Sequence, residues 1–170
     1  AYNPETGLLY IPANDNHCGI VEGREVTYMP GSSFTGARTQ MTVPETAEHI
    51  GEIQAWDMNT GEEVWTREFE SHNWGGILTT SGNLVFSGGT SDRFFRAHDA
   101  STGEELWRFR TNSGIIGVPS SFSVDGRQYV AVQSGWGVDA AGMTARIDQQ
   151  RGTSTFVPQG GVIWVFALPE

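Results

Sequence analysis

One eleven-residue pattern occurs twice in this chain, and it constrains the fold more than any other feature. The pattern A-x-D-x-x-T-G-E-E-[VL]-W ends at Trp65 in its first copy and at Trp107 in its second, 42 positions later. A repeat of about 40–50 residues is typical of the four-stranded blades of a β-propeller. We therefore predict an all-β fold of propeller blades, with the two Trp residues at equivalent positions on adjacent blades.

The segment around the second copy divides into four short strands, which we call A, B, C and D. The four β-prone runs are 76–80, 84–87, 94–98 and 105–110, and turn-forming Gly, Asn and Asp residues separate them. The runs on either side fit the same four-strand pattern. Before the complete blade, strands B, C and D are predicted at 8–11, 52–56 and 64–69. After it, strands A, B and C are predicted at 118–124, 128–132 and 162–168. Two long insertions separate strands B and C of the flanking blades, at 13–50 in its widest reading and at about 137–160.

This division predicts three blades of unequal completeness. We expect a partial blade without an A strand at 1–70, a complete blade at 73–111 and a partial blade without a D strand at 114–170. Propellers close with about four to eight blades, and exposed sheet edges favour aggregation. We therefore expect the remaining blades elsewhere in a longer protein, and the last D strand to come from the N-terminal end of that protein.

An up-and-down blade also sorts the connections between strands onto two faces. The D–A and B–C connections share one face, whereas the A–B and C–D turns share the other. The first face, which we call the loop-rich face, receives both insertions and the glycine-rich segments 73–76, 88–89, 114–117 and 135–137. Functional residues concentrate on loops held by a rigid scaffold, so we expect the functional site on this face.

Composition excludes several classes of function. The formal net charge of −10 argues against nucleic-acid binding, which needs a basic surface, and no apolar run reaches the ~18 residues of a membrane span. The first residues lack the features of a signal peptide, so either the chain is cytoplasmic or its N-terminus is missing.

Cys18, the only cysteine, has three possible interpretations: a small buried residue, a nucleophile, or half of a disulfide with an upstream partner.

The repeated residues and the unrepeated tryptophans have different interpretations. Trp65 and Trp107 are expected to pack on a neighbouring peptide plane and join one blade to the next, and the Asp residues of the repeat to cap the C–D turns. Trp74 and Trp136 lie outside the repeat and are flanked by glycines, which let a flat ligand approach the backbone closely. They either contact a ligand or fill the axial channel. No metal-binding motif stands out, and Asp15 with its flanking Asn residues lacks the glycine and terminal Glu of a calcium loop.

The repeat resembles the tryptophan-docking motif of quinoprotein dehydrogenases. The segment W-G-G-I-L-T-T-S-G-N-L-V-F from Trp74, the segment S-G-I-I-G from Ser113 and the G-W-G from Gly135 match the alcohol (methanol/ethanol) dehydrogenase branch in order and spacing. The resemblance covers nearly the whole chain. It identifies the chain as the C-terminal part of a pyrroloquinoline-quinone-dependent alcohol dehydrogenase, with about three of the eight blades of its propeller.

The resemblance implies a function and a set of site residues. The family oxidises primary alcohols to aldehydes with pyrroloquinoline quinone (PQQ) and a calcium or lanthanide ion, and passes the electrons to a cytochrome c in the periplasm. Trp74, Gly135 and Trp136 match the family's cofactor contacts. The metal ligands and the catalytic aspartate belong to earlier blades, so this segment alone is expected to be inactive. The alternative is a non-catalytic propeller scaffold of the outer-membrane assembly lipoprotein type, which does not need the Gly-flanked Trp residues.

Overall fold

The computed structural model describes residues 1–32 and 34–167, which form antiparallel sheets and one helix. In chain order the elements are β1 Tyr2–Asn3, β2 Leu8–Asn14, β3 Cys18–Gly23, β4 Ala37–Thr42, β5 Gly51–Asp57, β6 Glu63–Phe69, β7 Ile77–Thr80, β8 Leu84–Ser87, β9 Phe94–Asp99, β10 Glu105–Arg110, β11 Ser120–Val124, β12 Arg127–Ser134, α1 Val138–Arg151 and β13 Val162–Ala167. Within those residues, no helix has the length and apolar character required to cross a lipid bilayer.

The second blade is a four-stranded meander in the order β7-β8-β9-β10. Its strands coincide with the predicted runs to within one residue at each end, because tight turns mark their ends. Asn83, at a positive φ of 57°, turns the chain from β7 into β8. Asp99 accepts the main-chain N–H groups of Ser101 and Thr102 at 2.9 Å through Oδ1, and so caps the C–D turn as predicted.

The first blade pairs in the order β1-β2-β5-β6, so it does have a strand at the A position. The expectation that this blade lacks an A strand is therefore corrected. The strand β1 is only two residues long, and Tyr2 and Asn3 pair with Leu9 and Leu8 of β2. Such a short run carries no periodicity that a sequence pattern could reveal.

The third sheet has the order β11-β12-β13, with the expected A, B and C strands. Leu168, the last residue of the predicted C strand, lies outside the described residues. The insertion before β13 contains the helix α1, where the sequence predicts a loop. The other insertion contains the hairpin β3–β4, and Cys18 at its start is exposed rather than buried.

The apolar core lies between the blades. One cluster joins Leu8, Tyr10, Ile53 and Trp65 of the first blade to residues of the second, and another joins Phe95 of the second blade to the third. Each sheet thus buries its apolar side chains against the sheet of the neighbouring blade. This arrangement fixes the loop-rich face, because the connections of adjacent blades are held side by side.

The two copies of the repeat have the same register. Trp65 pairs with Ala55, and Trp107 pairs with Ala97, each beside a β-bulge of one residue. This equivalence confirms the predicted placement of the two indoles on adjacent blades. Trp65 is buried, whereas Trp107 is 39% exposed and packs edge-on against Phe95 and Phe166.

Candidate cofactor face

The connections predicted to share the loop-rich face do meet there. The end of β2 contacts the D–A connection after β6, because Asn14 Oδ1 accepts the main-chain N–H of Asn73 at 2.7 Å. One blade further, the N–H of Gly135 donates to the carbonyl of Gly114 at 2.7 Å. The blade geometry therefore predicted correctly that the D–A and B–C connections lie on one face.

Trp74 lies on this face with its side chain 41% exposed. Its main-chain N–H donates to the carbonyl of Gly89 at 2.9 Å, which ties the residue to the second blade. Among the aromatic rings of the described residues, only His72 packs against the indole, edge-on with centroids 5.7 Å apart. A substantial part of Trp74 therefore remains exposed on the loop-rich face.

Trp136 has a different environment and is 1% exposed. Its ring lies against the backbone of Gly114, where an added Cβ would be 2.0 Å from the indole, and its centroid is 5.4 Å from that of His72. Its Nε1–H donates to Thr144 Oγ1 of α1 at 3.3 Å. Trp136 is therefore buried by these contacts, whereas Trp74 is exposed on the face.

Gly135 joins the third blade to the preceding connection. Its partly buried backbone pairs with Ile115 in a parallel bridge, and a Cβ added to it would lie 2.9 Å from the carbonyl oxygen of Gly160. Only glycine therefore fits here without a shift of the surrounding backbone. The main chain at Gly135 thus lies close to the segments of Ile115 and Gly160.

His72 stands between the two tryptophans, and sequence reasoning did not single it out. It is 1% exposed, and burial, followed by the nearby charge of His17, lowers the pKa of its imidazole from 6.5 to about 4. The ring is therefore neutral at physiological pH and acts as an aromatic spacer. Its place immediately before the Asn-Trp-Gly-Gly run was the signal that could have identified it.

A cluster of possible metal ligands lies beside this face, although the sequence analysis found no metal motif. Asp15, His49 and Glu52 bring their ligand atoms within 4.8 Å of one another. His49 Nε2 is 2.8 Å from Glu52 Oε1, and His49 Nδ1 is 3.5 Å from Glu68 Oε2. The imidazole is thus surrounded by carboxylates, which can accept hydrogen bonds from its ring N–H.

Comparison with known proteins accounts for this architecture. Residues 67–130 match the PQQ family described as the glucose/ethanol/alcohol dehydrogenase β-propeller domain. The chain is 40% identical over its whole length to quinoprotein alcohol dehydrogenase PedH of Pseudomonas putida KT2440, of which it covers 28%. The chain is therefore similar along its whole length to part of the quinoprotein alcohol dehydrogenases.

Further relatives and solved structures agree with this assignment. The lanthanide-dependent methanol dehydrogenase of Methylorubrum extorquens AM1 is 38% identical over the whole chain, which covers 30% of that protein. The structure of a europium-containing methanol dehydrogenase superposes with a TM-score of 0.81 at 34% identity, over 99% of this chain and 32% of the other. A quinohemoprotein alcohol dehydrogenase from Comamonas testosteroni gives 0.72 at 32% identity, over 98% of this chain and 25% of the other. The chain thus spans between a quarter and a third of the length of these quinoproteins.

Proposed function

We propose that this chain is the part of a PQQ-dependent alcohol dehydrogenase that supplies one side of the cofactor face, with Trp74 as its direct contact. The observation that carries the proposal is the geometry of Trp74, whose backbone is fixed to the second blade while its indole remains open. A flat quinone fits such a surface, because an indole offers both an aromatic face and an N–H donor. When bound, PQQ accepts the hydride equivalent removed from the alcohol.

The three predicted cofactor residues have unequal parts in this proposal. Trp74 binds and orients the quinone from the surface of the loop-rich face. Gly135 allows the main chain of the third blade to lie close to the site. Trp136 supports both from below, since its ring packs against His72 and its N–H is already taken by Thr144.

The remaining parts of the proposed enzyme come from other blades. These are the calcium or lanthanide ion with its ligands, the aspartate base and the surface that passes electrons to a cytochrome c, in a periplasmic enzyme acting on primary alcohols. The family relationship supports this assignment over the scaffold alternative, because the relatives described above are dehydrogenases.

The test compares two tryptophan variants in the full-length protein. Trp74→Ala should weaken quinone binding by roughly five-fold or more, because one stacking or donor contact contributes about 1–3 kcal/mol. Trp107→Ala should leave quinone affinity unchanged and lower the melting temperature, because its indole packs on Phe95 and Phe166. The measurements are quinone content after dialysis and the melting temperature of each apo-protein.

Two outcomes would reject the proposal. If Trp107→Ala loses the quinone while Trp74→Ala retains it, the assignment of the two faces is reversed. If the unmodified full-length protein, supplied with calcium or a lanthanide, binds no quinone at all, the scaffold alternative is correct.

A further inference from the structure

We infer that Asn73 is a positioning residue for Trp74: its side-chain amide holds the Asn73–Gly75 segment in the conformation that keeps the indole open on the loop-rich face. This inference rests on the proposed role of Trp74 and adds a residue that acts through it. Asn73 is 4% exposed, so its side chain does not itself reach a ligand at the surface.

The hydrogen bonds of Asn73 connect three separate segments. Its Nδ2 donates to the carbonyl of Glu52 in β5 at 2.9 Å, and its Oδ1 accepts the N–H of Gly75 at 3.2 Å. Its main-chain N–H donates to Asn14 Oδ1 at 2.7 Å, and Asn14 Nδ2 returns a bond of 3.1 Å to the Asn73 carbonyl. The carbonyl on one side and the N–H on the other fix which way the amide must face.

This segment packs closely against the main chain of Gly88 and Gly89 in the second blade. A Cβ added to Gly89, whose φ is +104°, would lie 2.3 Å from Asn73 Oδ1 and 2.1 Å from the nitrogen of Gly75. A Cβ added to Gly75 would lie 2.6 Å from the carbonyl oxygen of Gly88. The Trp74 backbone is therefore held between the amide of Asn73 and the main chain of the second blade.

This arrangement separates a rigid backbone from an open side chain. The backbone at Trp74 is held by the bond of its N–H to the Gly89 carbonyl and by the bond of the Gly75 N–H to Asn73 Oδ1. The residue is 41% exposed, and His72 is the only described aromatic ring that packs on its indole. A contact that is fixed before binding costs less ordering entropy when the ligand arrives. Loss of the Asn73 amide should therefore weaken quinone binding through Trp74, even though the indole itself is intact.

The experiment is a double-mutant cycle on the full-length apo-protein, with PQQ as the probe at a fixed calcium concentration. Quinone affinity is measured by equilibrium dialysis for the unmodified protein, Asn73→Ala, Trp74→Ala and the double variant. We expect Asn73→Ala to weaken affinity several-fold, and the double variant to bind no more weakly than Trp74→Ala alone. Non-additive effects of this kind identify residues that act through one another.

A matched control separates positioning from a general loss of stability. Tyr10→Phe removes a different interblade hydrogen bond, the 3.0 Å bond from Tyr10 to the Ala100 carbonyl in the C–D turn of the second blade. It should lower the melting temperature to a similar degree and leave quinone affinity unchanged. If Asn73→Ala does not fold, Asn73→Ser takes its place in the cycle, because its hydroxyl retains a polar group at this position.

The possible results separate the proposed function of Trp74 from the positioning role of Asn73. If Trp74→Ala binds quinone normally, the proposed function fails and this inference fails with it. If Trp74→Ala weakens binding but the Asn73 variant has no effect, or the two effects multiply in the double variant, the positioning role alone is overturned. A loss of affinity in Tyr10→Phe equal to that in Asn73→Ala would also overturn it, because both would then reflect stability.

Discussion

Trp65 of the first blade donates a hydrogen bond of 3.0 Å from its indole Nε1 to the main-chain oxygen of Ala100 in the second blade. The same oxygen accepts the hydroxyl of Tyr10 at 3.0 Å, so two aromatic side chains of one blade meet at a single carbonyl of the next. The two rings also contact each other, with centroids 5.7 Å apart. The repeat motif therefore stabilises the interface between blades, as its spacing predicted.

We expect the two side chains at this carbonyl to differ in their contribution to stability. Trp65→Ala should lower the free energy of unfolding by about 3–5 kcal/mol, because it removes a packed indole and leaves a cavity. Tyr10→Phe should cost about 1–2 kcal/mol, because the hydroxyl bonds both the Ala100 carbonyl and Thr6 Oγ1. Urea denaturation of the full-length variants measures both, and equal losses would contradict the assignment of packing to Trp65.

The turn that receives Trp65 should not tolerate a side chain. Gly103 has a φ of +70°, and an added Cβ would lie 2.6 Å from Trp65 Cε3. Gly126 provides a matched control, since its φ is +80° but nothing lies within 4 Å of its added Cβ. Gly126→Ala should therefore lose only the roughly 1 kcal/mol of backbone strain, and Gly103→Ala clearly more. Melting temperatures of the two variants make the comparison, and identical losses would show that the indole moves aside.

Stability should fall in mild acid because His72 is buried as a neutral ring. Its pKa is lowered by burial, and secondarily by His17, to about 4, whereas an unfolded chain binds the proton near 6.5. Its contribution is therefore fully present above about pH 6.5 and is lost as the pH falls toward 4. His72→Phe keeps an aromatic ring between Trp74 and Trp136 and removes the proton site. We expect its urea midpoint to change less than that of the unmodified protein between about pH 7.5 and pH 5; an unchanged pH dependence would contradict this.

The strands of the second blade could be predicted from sequence because local turn chemistry marks their ends. Asn83 adopts a positive φ at one turn, and Asp99 accepts main-chain N–H groups at the next. The loop-rich face follows from the order of the strands alone, so the sequence is sufficient to place Trp74 and Gly135 on it.

The helix α1 could not be predicted because its buried side carries almost no hydrophobic signal. The residues that it buries are Ala140, Thr144 and Ile147, of which only one is a large apolar side chain. Its N-terminus has no side-chain cap, so the usual start signal is missing as well. The helix also contributes to the burial of Trp136, which bonds Thr144 and packs with Ala140 of α1.

The segment 1–170 on its own should show no alcohol dehydrogenase activity. It lacks the blades to which the proposal assigns the metal ligands and the base, and it exposes apolar side chains such as Val118 at 70% and Ile163 at 71%. Exposed apolar surface of this kind favours association. With PQQ and calcium added, we expect no dye reduction with methanol or ethanol and a self-associated state in size-exclusion chromatography. Activity above a protein-free control would place catalytic groups within this segment.

The hydrogen bond between Trp136 and α1 predicts how the insertion is held to the propeller. Trp136 Nε1–H donates to Thr144 Oγ1, which in turn donates to the carbonyl of Ala140 at 2.8 Å. Thr144→Val keeps the shape of the side chain but leaves the buried indole N–H without this partner, which should cost about 1–3 kcal/mol. Because α1 packs on Trp136, the loss should appear as faster amide hydrogen exchange in α1 before any change in the second blade.

The matched control for this change is Thr153→Val, just beyond the helix. Thr153 Oγ1 bonds Asp148 at 2.6 Å, but the pair is exposed to solvent, so water can replace the lost partner and the cost should be small. Hydrogen exchange measured by mass spectrometry on the full-length variants separates the two sites. If Thr144→Val and Thr153→Val accelerate exchange in α1 equally, the buried indole N–H does not depend on Thr144, and α1 is held by its surface contacts, such as the 2.8 Å bond from Arg151 to the carbonyl of Ala47.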